Sequence, residues 1–331
     1  MRPPARPPRR IDAMPRATRF PPRVGAALRA ALGLGAAALL VLGAAPAVAQ
    51  DDRFAPAAVL TGALARVAQS GTIRLGYRAD AVPFSFVSKA GEVHGYSIDL
   101  CRAIAETIGD DIGGLPPRVE FRQVTAADRI DRVAAGDVDL ECGSTTNTTA
   151  RRQRVAFSPP IFVTGTRLAV RRDAGIRGLA DLAGRSVAAV RGTTNEEALR
   201  QIVATRGLRV GIVATDDLPQ AFALLAAGRV DAVGGDDVLL VGHLVRTGER
   251  ARHAVVGPLL TFERYGIVFA RDDPPLAATV DRALRELARS GELRRIYHKW
   301  FVRTLPNGER MDLPMSPELT RSFEILGMPP E

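Results

Sequence analysis

DLECGSTTNTTARRQRVAFSPP, residues 139–160, begins as a buried strand and ends in a cluster of arginines. Val138, Leu140 and Cys142 are apolar at alternate positions, the period of a strand with one face in a core. Ser144 to Thr149 then place six consecutive hydroxyl or amide side chains in the chain. These cannot extend a core strand, because each brings a polar group that burial leaves in need of a partner. They suit the start of a helix, where side-chain oxygens accept from free backbone N–H groups. Arg151 and Arg152 then fall in or near the first turn, where a cation opposes the helix dipole unless something negative lies close. Hydroxyls, free N–H groups and a guanidinium together suit a carboxylate or phosphate. A solvated, capped turn explains the same residues, and this stretch alone does not choose.

Outward from it, strand and helix patterns alternate. TIRLGY (72–77) reads as a buried strand, and SIDLCRAIAETIG (97–109) as a helix with Ile98, Cys101, Ala105 and Ile108 on one face. RVEFRQV (118–124) is a strand, and 126–136 a helix closed by Gly136. A second series follows: SVAAV (186–190), a helix over 194–205, LRVGIVAT (208–215), a helix over 217–227, and RVDAVGG (229–235). Short buried strands separated by helices of about ten residues imply parallel α/β sheets. AAGDVDLECGS (134–144) and AAGRVDAVGGD (226–236) share one local design, so two α/β lobes are expected. Between them lies FSPPIFVTGTRLAVRRD (157–173), a crossing segment, and RYGIVFARDD (264–273) is a second extended run. Helix-like residues 275–302 come next, and the proline-punctuated end from Pro306 onward reads as a surface tail.

Ligands of open α/β sheets bind beyond the carboxyl ends of the strands. Four polar tips fall there: Arg78; Ser144 to Arg151; RGTTNE (191–196); and Asp236-Asp237. Arginines and N–H groups for a carboxylate, with an aspartate for an ammonium, suit a small zwitterion. Each tip also has a plain reading. Arg78 and Arg129 can be solvated surface arginines, and Asp236 or Asp237 can cap the following helix.

The first 49 residues hold eight arginines, one acid (Asp12) and an apolar run over 30–42, then Ala47-Val48-Ala49. This is the pattern of a secretory signal peptide cleaved near Ala49, with Met14 as an alternative start. The leader carries +7 of the chain's formal +9, so the remainder carries +2 and nucleic acid is not an expected partner. Cys101 and Cys142 form either a disulfide or two buried thiols. The four histidines lack metal-ligand spacing, and neither a metal nor a cofactor is expected.

VPFSF, GYSIDL, DLECGSTTN, the RQRVAFS run, FVTGTRL, RGTTNE, GGDDVLL and the SGELRRIYHKWF ending together carry a resemblance. The sequence resembles the periplasmic substrate-binding proteins of polar amino-acid ABC transporters, most closely the glutamate/aspartate-binding branch. The resemblance implies two α/β lobes joined by two crossing strands, with a ligand cleft between them. It implies a first lobe from 50–161 and 263–331 with the tail, and a second from 162–262. Hinges fall near Phe162–Thr166 and Thr261–Tyr265. Arg151 matches the arginine that pairs with the ligand α-carboxylate, Ser144 and Thr146 its flanking contacts, and Thr194 a further contact from the second lobe. Asp236 matches the acid that receives the α-ammonium, and Arg78 and Arg129 the contacts to a side-chain carboxylate. Ala126 and Leu218 depart from the acidic branch, which has serine and histidine there. The implied partners are an amino-acid ligand and a membrane-embedded permease, with the chain itself a periplasmic monomer without catalysis. A lyase resembling cyclohexadienyl dehydratase, or an amino-acid sensor, could use the same fold.

Overall fold

The computed structural model describes residues 60–304 and 310–330, and the leader with its cleavage point lies outside them. Two five-stranded sheets organise the chain. The first runs Arg118–Gln123, Thr72–Tyr77, Leu140–Glu141, Val268–Ala270, Val155–Phe157. Its first three strands are parallel, and Val268–Ala270 is antiparallel to both of its neighbours. The second runs Gly211–Thr215, Ser186–Val190, Ala232–Asp236, Thr166–Arg171, His253–Val256. Again three parallel strands meet an antiparallel one, here Thr166–Arg171. The architecture is the two-lobed α/β fold that the alternating pattern implies.

Burial explains the elements. Val187, Ala188 and Ala189 are consecutive and all fully buried, as in a strand covered by helices on both faces. The helix Tyr96–Asp111 turns Ile98, Cys101, Ile104, Ala105 and Ile108 into the first core. Cys101 is bonded to Cys142, with Cα atoms 6.2 Å apart, so this helix is tied to the strand end just before Ser144. Closing a loop across 41 residues restricts the unfolded chain by about 4 kcal/mol in the chain-entropy model.

Two short strands, Phe162–Thr164 and Glu263–Tyr265, pair antiparallel in a separate sheet and carry the chain between the lobes. Their first-lobe ends sit in an aromatic cluster. Phe84 lies 5.0 Å from Phe162 and 5.1 Å from Tyr265 between ring centroids, and Phe162 stacks on Phe301 at 4.8 Å. Such pairs add about 0.5–1.5 kcal/mol each beyond area burial.

The lobes also meet away from these strands. At Gly242 a side-chain carbon would stand 2.1 Å from the Val82 carbonyl oxygen, and at Gly192, with φ +74°, 2.9 Å from Ala127 Cα. Only glycine allows both approaches.

The C-terminal tail takes a different form from the expectation. Pro317–Leu326 is a helix that buries Leu319, Phe323 and Leu326, capped by Ser316 accepting from the Leu319 N–H at 3.2 Å. Apolar residues at i, i+4 and i+7 after a Ser-Pro start specify it, and the prolines beside it obscure that pattern. Likewise the helix-like stretch 275–302 is two helices, Pro274–Arg289 and Glu292–Phe301, broken at Gly291.

Candidate binding cleft

Arg78, Arg129, Ser144, Thr146, Thr194 and Asp236 line one cleft between the lobes. Arg151 stands at its edge, donating from Nη1 to the Thr146 carbonyl (2.9 Å) and from Nη2 to the Gly192 carbonyl of the other lobe (3.2 Å). The polar run 144–149 divides its labour. Thr148 caps the short helix Thr149–Arg152, accepting from the Arg151 N–H at 3.2 Å, while Ser144 and Thr146 face the cleft. Burial lowers the Arg151 pKa, and the carboxylates of Glu263, Glu141 and Asp236 act against that shift.

Sequence reasoning missed Glu263. Its carboxylate is buried at the start of a crossing strand and accepts from Thr146 Oγ1 (2.6 Å), Thr194 Oγ1 (2.5 Å) and Thr261 Oγ1 (2.9 Å). Both lobes and the crossing segment thus converge on one carboxylate. The available signal was an acid opening a β-rich run, Phe262-Glu263-Arg264-Tyr265, where a solvated strand end is the simpler assumption.

Asp236 sits at the N-terminus of the helix Asp237–Thr247, yet its side chain does not cap it. It accepts instead from Asn195 Nδ2 at 3.0 Å, and Asn195 also donates to Thr166 Oγ1 at 2.8 Å. Its neighbour Asp237 takes the N-terminal role, accepting from the Val238 N–H (2.7 Å) and from Thr164 Oγ1 (2.6 Å). Burial, with the Glu263 carboxylate nearby, pushes the Asp236 carboxyl up to about 7, and the Asn195 hydrogen bond works the other way.

The opposite end is built differently. Arg129 is only 2% exposed; its Nη1 donates to the Ser144 carbonyl at 3.3 Å and its Nε has no partner among the described residues. Burial, then the Arg151 charge, bring its pKa down to about 9 despite Glu141. Arg78 is also buried, but it is engaged: Nε and Nη2 donate to the two carboxylate oxygens of Asp80, each at 3.0 Å. Asp80 lines the cleft too, and its Oδ2 accepts from the Leu218 N–H of the second lobe at 3.3 Å. Asp80 was legible in principle, since i and i+2 on an extended chain share a side. Leu218, buried and apolar, lines the cleft, and buried Ala126 belongs to the same apolar cluster.

The cleft therefore offers two lining guanidiniums with a third at its edge, several hydroxyls and two acids, Asp80 and Asp236, enclosed between two lobes. Residues 73–303 match the family of bacterial extracellular solute-binding proteins, family 3. The chain belongs to that family. This family 3 protein is 35% identical over 290 residues to an L-glutamate/L-aspartate-binding protein of Pseudomonas aeruginosa, covering 87% of this chain and 93% of that one. A glutamate/aspartate import solute-binding protein of Escherichia coli is 33% identical, with coverage of 87% and 95%. Among solved structures, an ancestral amino acid-binding protein described as a precursor of cyclohexadienyl dehydratase superposes with a TM-score of 0.64 at 28% identity. That match covers 72% of this chain and 99% of the other.

Proposed function

We propose that this family 3 protein captures an acidic amino acid, glutamate or aspartate, in the periplasm and delivers it to the permease of an ABC transporter. The leader 1–49 is removed on export, and the receptor works as a monomer whose first lobe (50–161 with 263–331) and second lobe (162–262) close on the ligand. In this reading Arg151 pairs with the α-carboxylate, Ser144, Thr146 and Thr194 surround the α-substituents, and Asp236 receives the ammonium. Arg78 and Arg129 face the side-chain carboxylate.

The observation that carries the reading is Arg129, a buried cation with an unpartnered nitrogen, beside other cations that a second ligand carboxylate would relieve. The glutamate/aspartate-binding names of the relatives agree with it. A thermal-shift panel of amino acids on the purified protein tests it, because a ligand at 100 times its Kd adds about 2.7 kcal/mol of stability. Glutamate and aspartate should give the largest shifts with basic amino acids inert. A panel in which arginine or lysine leads would overturn the reading.

A lyase is the second reading, favoured by Asp236, a cleft carboxyl raised to about 7 as a general acid or base requires. Turnover of a cyclohexadienyl substrate that Asp236→Asn abolishes would establish it.

A further inference from the structure

Arg78 and Arg129 line the cleft and Arg151 stands at its edge, and the three are not equally available. Arg151 is held at the edge by one bond within its own lobe, to Thr146, and one across to Gly192, while Arg129 keeps a buried Nε with no partner among the described residues. Arg78 has given Nε and Nη2 to Asp80 through two 3.0 Å bonds, with a further Nη2 approach to Oδ1 at 2.8 Å. Asp80 is itself anchored from the facing lobe by the Leu218 N–H. A carboxylate fixed from both lobes beside the distal end of the cleft is a negative charge that any ligand side chain must meet.

We infer that Asp80 sets the side-chain specificity, admitting carboxamide side chains (glutamine, asparagine) alongside carboxylate ones. The inference rests on the cleft being an α-amino-acid site and refines which side chains it takes. A carboxamide satisfies both local groups at once: its oxygen accepts from Arg129, and its NH2 donates to Asp80. A second carboxylate gains Arg129 but faces Asp80 as a like charge, which disfavours it. Ala126 and Leu218 add no polar group that would restore the balance toward a carboxylate. With Arg78 neutralised by its neighbour, the distal end carries the charge of Arg129 rather than that of two free arginines.

The experiment is isothermal titration of L-glutamate, L-glutamine and L-arginine into wild type, Asp80→Asn and Asp80→Ser, with circular dichroism and melting to confirm folding. Wild type should bind glutamine within about tenfold of glutamate, and removing the charge should shift the glutamate-to-glutamine ratio by about tenfold or more toward glutamate. Either variant suffices if the other does not fold. A ratio that stays within about twofold in the folded variant overturns the role of Asp80 while leaving acidic binding intact. Wild type that takes glutamine, refuses glutamate and has that order reversed in the variant overturns the acidic reading and keeps Asp80. Wild type that binds neither overturns both.

Discussion

At the Glu263 end of the cleft, hydroxyls from Thr146, Thr194 and Thr261 converge on one carboxylate. At the Arg129 end a guanidinium nitrogen has no partner among the described residues, and apolar Leu218 lines the cleft. The first end is complete before any ligand arrives. The second end keeps an unspent donor, and in the proposed reading the group that meets it decides selectivity. Hydrogen counting sharpens the contrast. Thr146 and Thr194 each spend their one hydroxyl hydrogen on Glu263, so toward a ligand they present lone pairs. Those hydroxyls then suit the ammonium, and an α-carboxylate depends on Arg151 and on backbone N–H groups.

The sharpest way to break this picture is Arg151→Ala. It should cost about 2–5 kcal/mol of binding, because a desolvated, charge-assisted pair is lost. The ligand-free fold should survive. Calorimetry giving near-wild-type affinity would move the α-carboxylate to some other group.

Glu263→Ala attacks the completed end. Three hydroxyls lose their acceptor, so stability in urea should fall by about 2–4 kcal/mol. The same change removes a neighbouring negative charge, so the Asp236 pKa should drop. If stability hardly changes, the hydroxyls have found water or one another and Glu263 is no keystone.

Gly242→Ala tests closure. Its methyl would collide with the Val82 carbonyl, and overpacking of this kind costs about 1–3 kcal/mol. If the contact exists only in the closed form, ligand affinity should weaken by the corresponding factor while melting without ligand stays put. Lost stability with unchanged affinity would show that Gly242 and Val82 stay together throughout.

The smallest effect expected is a pH slope. In the conformation described Asp236 keeps its proton below about 7, and in the proposed reading an incoming ammonium requires the ionised form. Affinity should therefore fall as pH drops from 8 to 6, by up to about 1.4 kcal/mol per unit, with a proton released on binding. The contribution to ligand-free stability has the opposite sense. A carboxyl raised by folding favours the folded state at low pH, and that contribution is lost as pH rises through about 7. Asp236→Asn should thus raise the melting temperature more at pH 8 than at pH 5 and flatten the affinity profile. Calorimetry in buffers of different ionisation enthalpy reads the proton directly.

Much of the frame was legible because it rests on local rules. The apolar strands around 72–77 and 186–190, the Gly-ended helices and the polar tips all announce themselves within a few residues. Those tips do converge: Arg78, Ser144, Thr194 and Asp236 come from four chain segments and line one cleft. What stayed hidden depends on three-dimensional company. Glu263 matters through threonines up to 117 residues away, and no local pattern marks it. Arg78 has the residue type for a ligand contact, but its engagement by Asp80 depends on which way two side chains turn. The terminal helix shows a third case, where prolines that mark a loop in one context supply the first turn in another.

The strand Val268–Ala270 lies between Leu140–Glu141 and Val155–Phe157 in the first sheet, and it arrives only after the whole second sheet has been traversed. Until then Val155–Phe157 has no strand to pair with, and the first sheet is in two pieces. The second sheet draws all five strands from 166–256 and can assemble from one contiguous stretch. Loop closure over more than a hundred residues costs little extra free energy but slows the search. On that basis the second lobe is expected to form early, and the first lobe, with its aromatic cluster and cleft arginines, to be completed by the returning chain. Amides of the 186–190 strand should accordingly gain protection from hydrogen exchange before those of 155–157 during refolding.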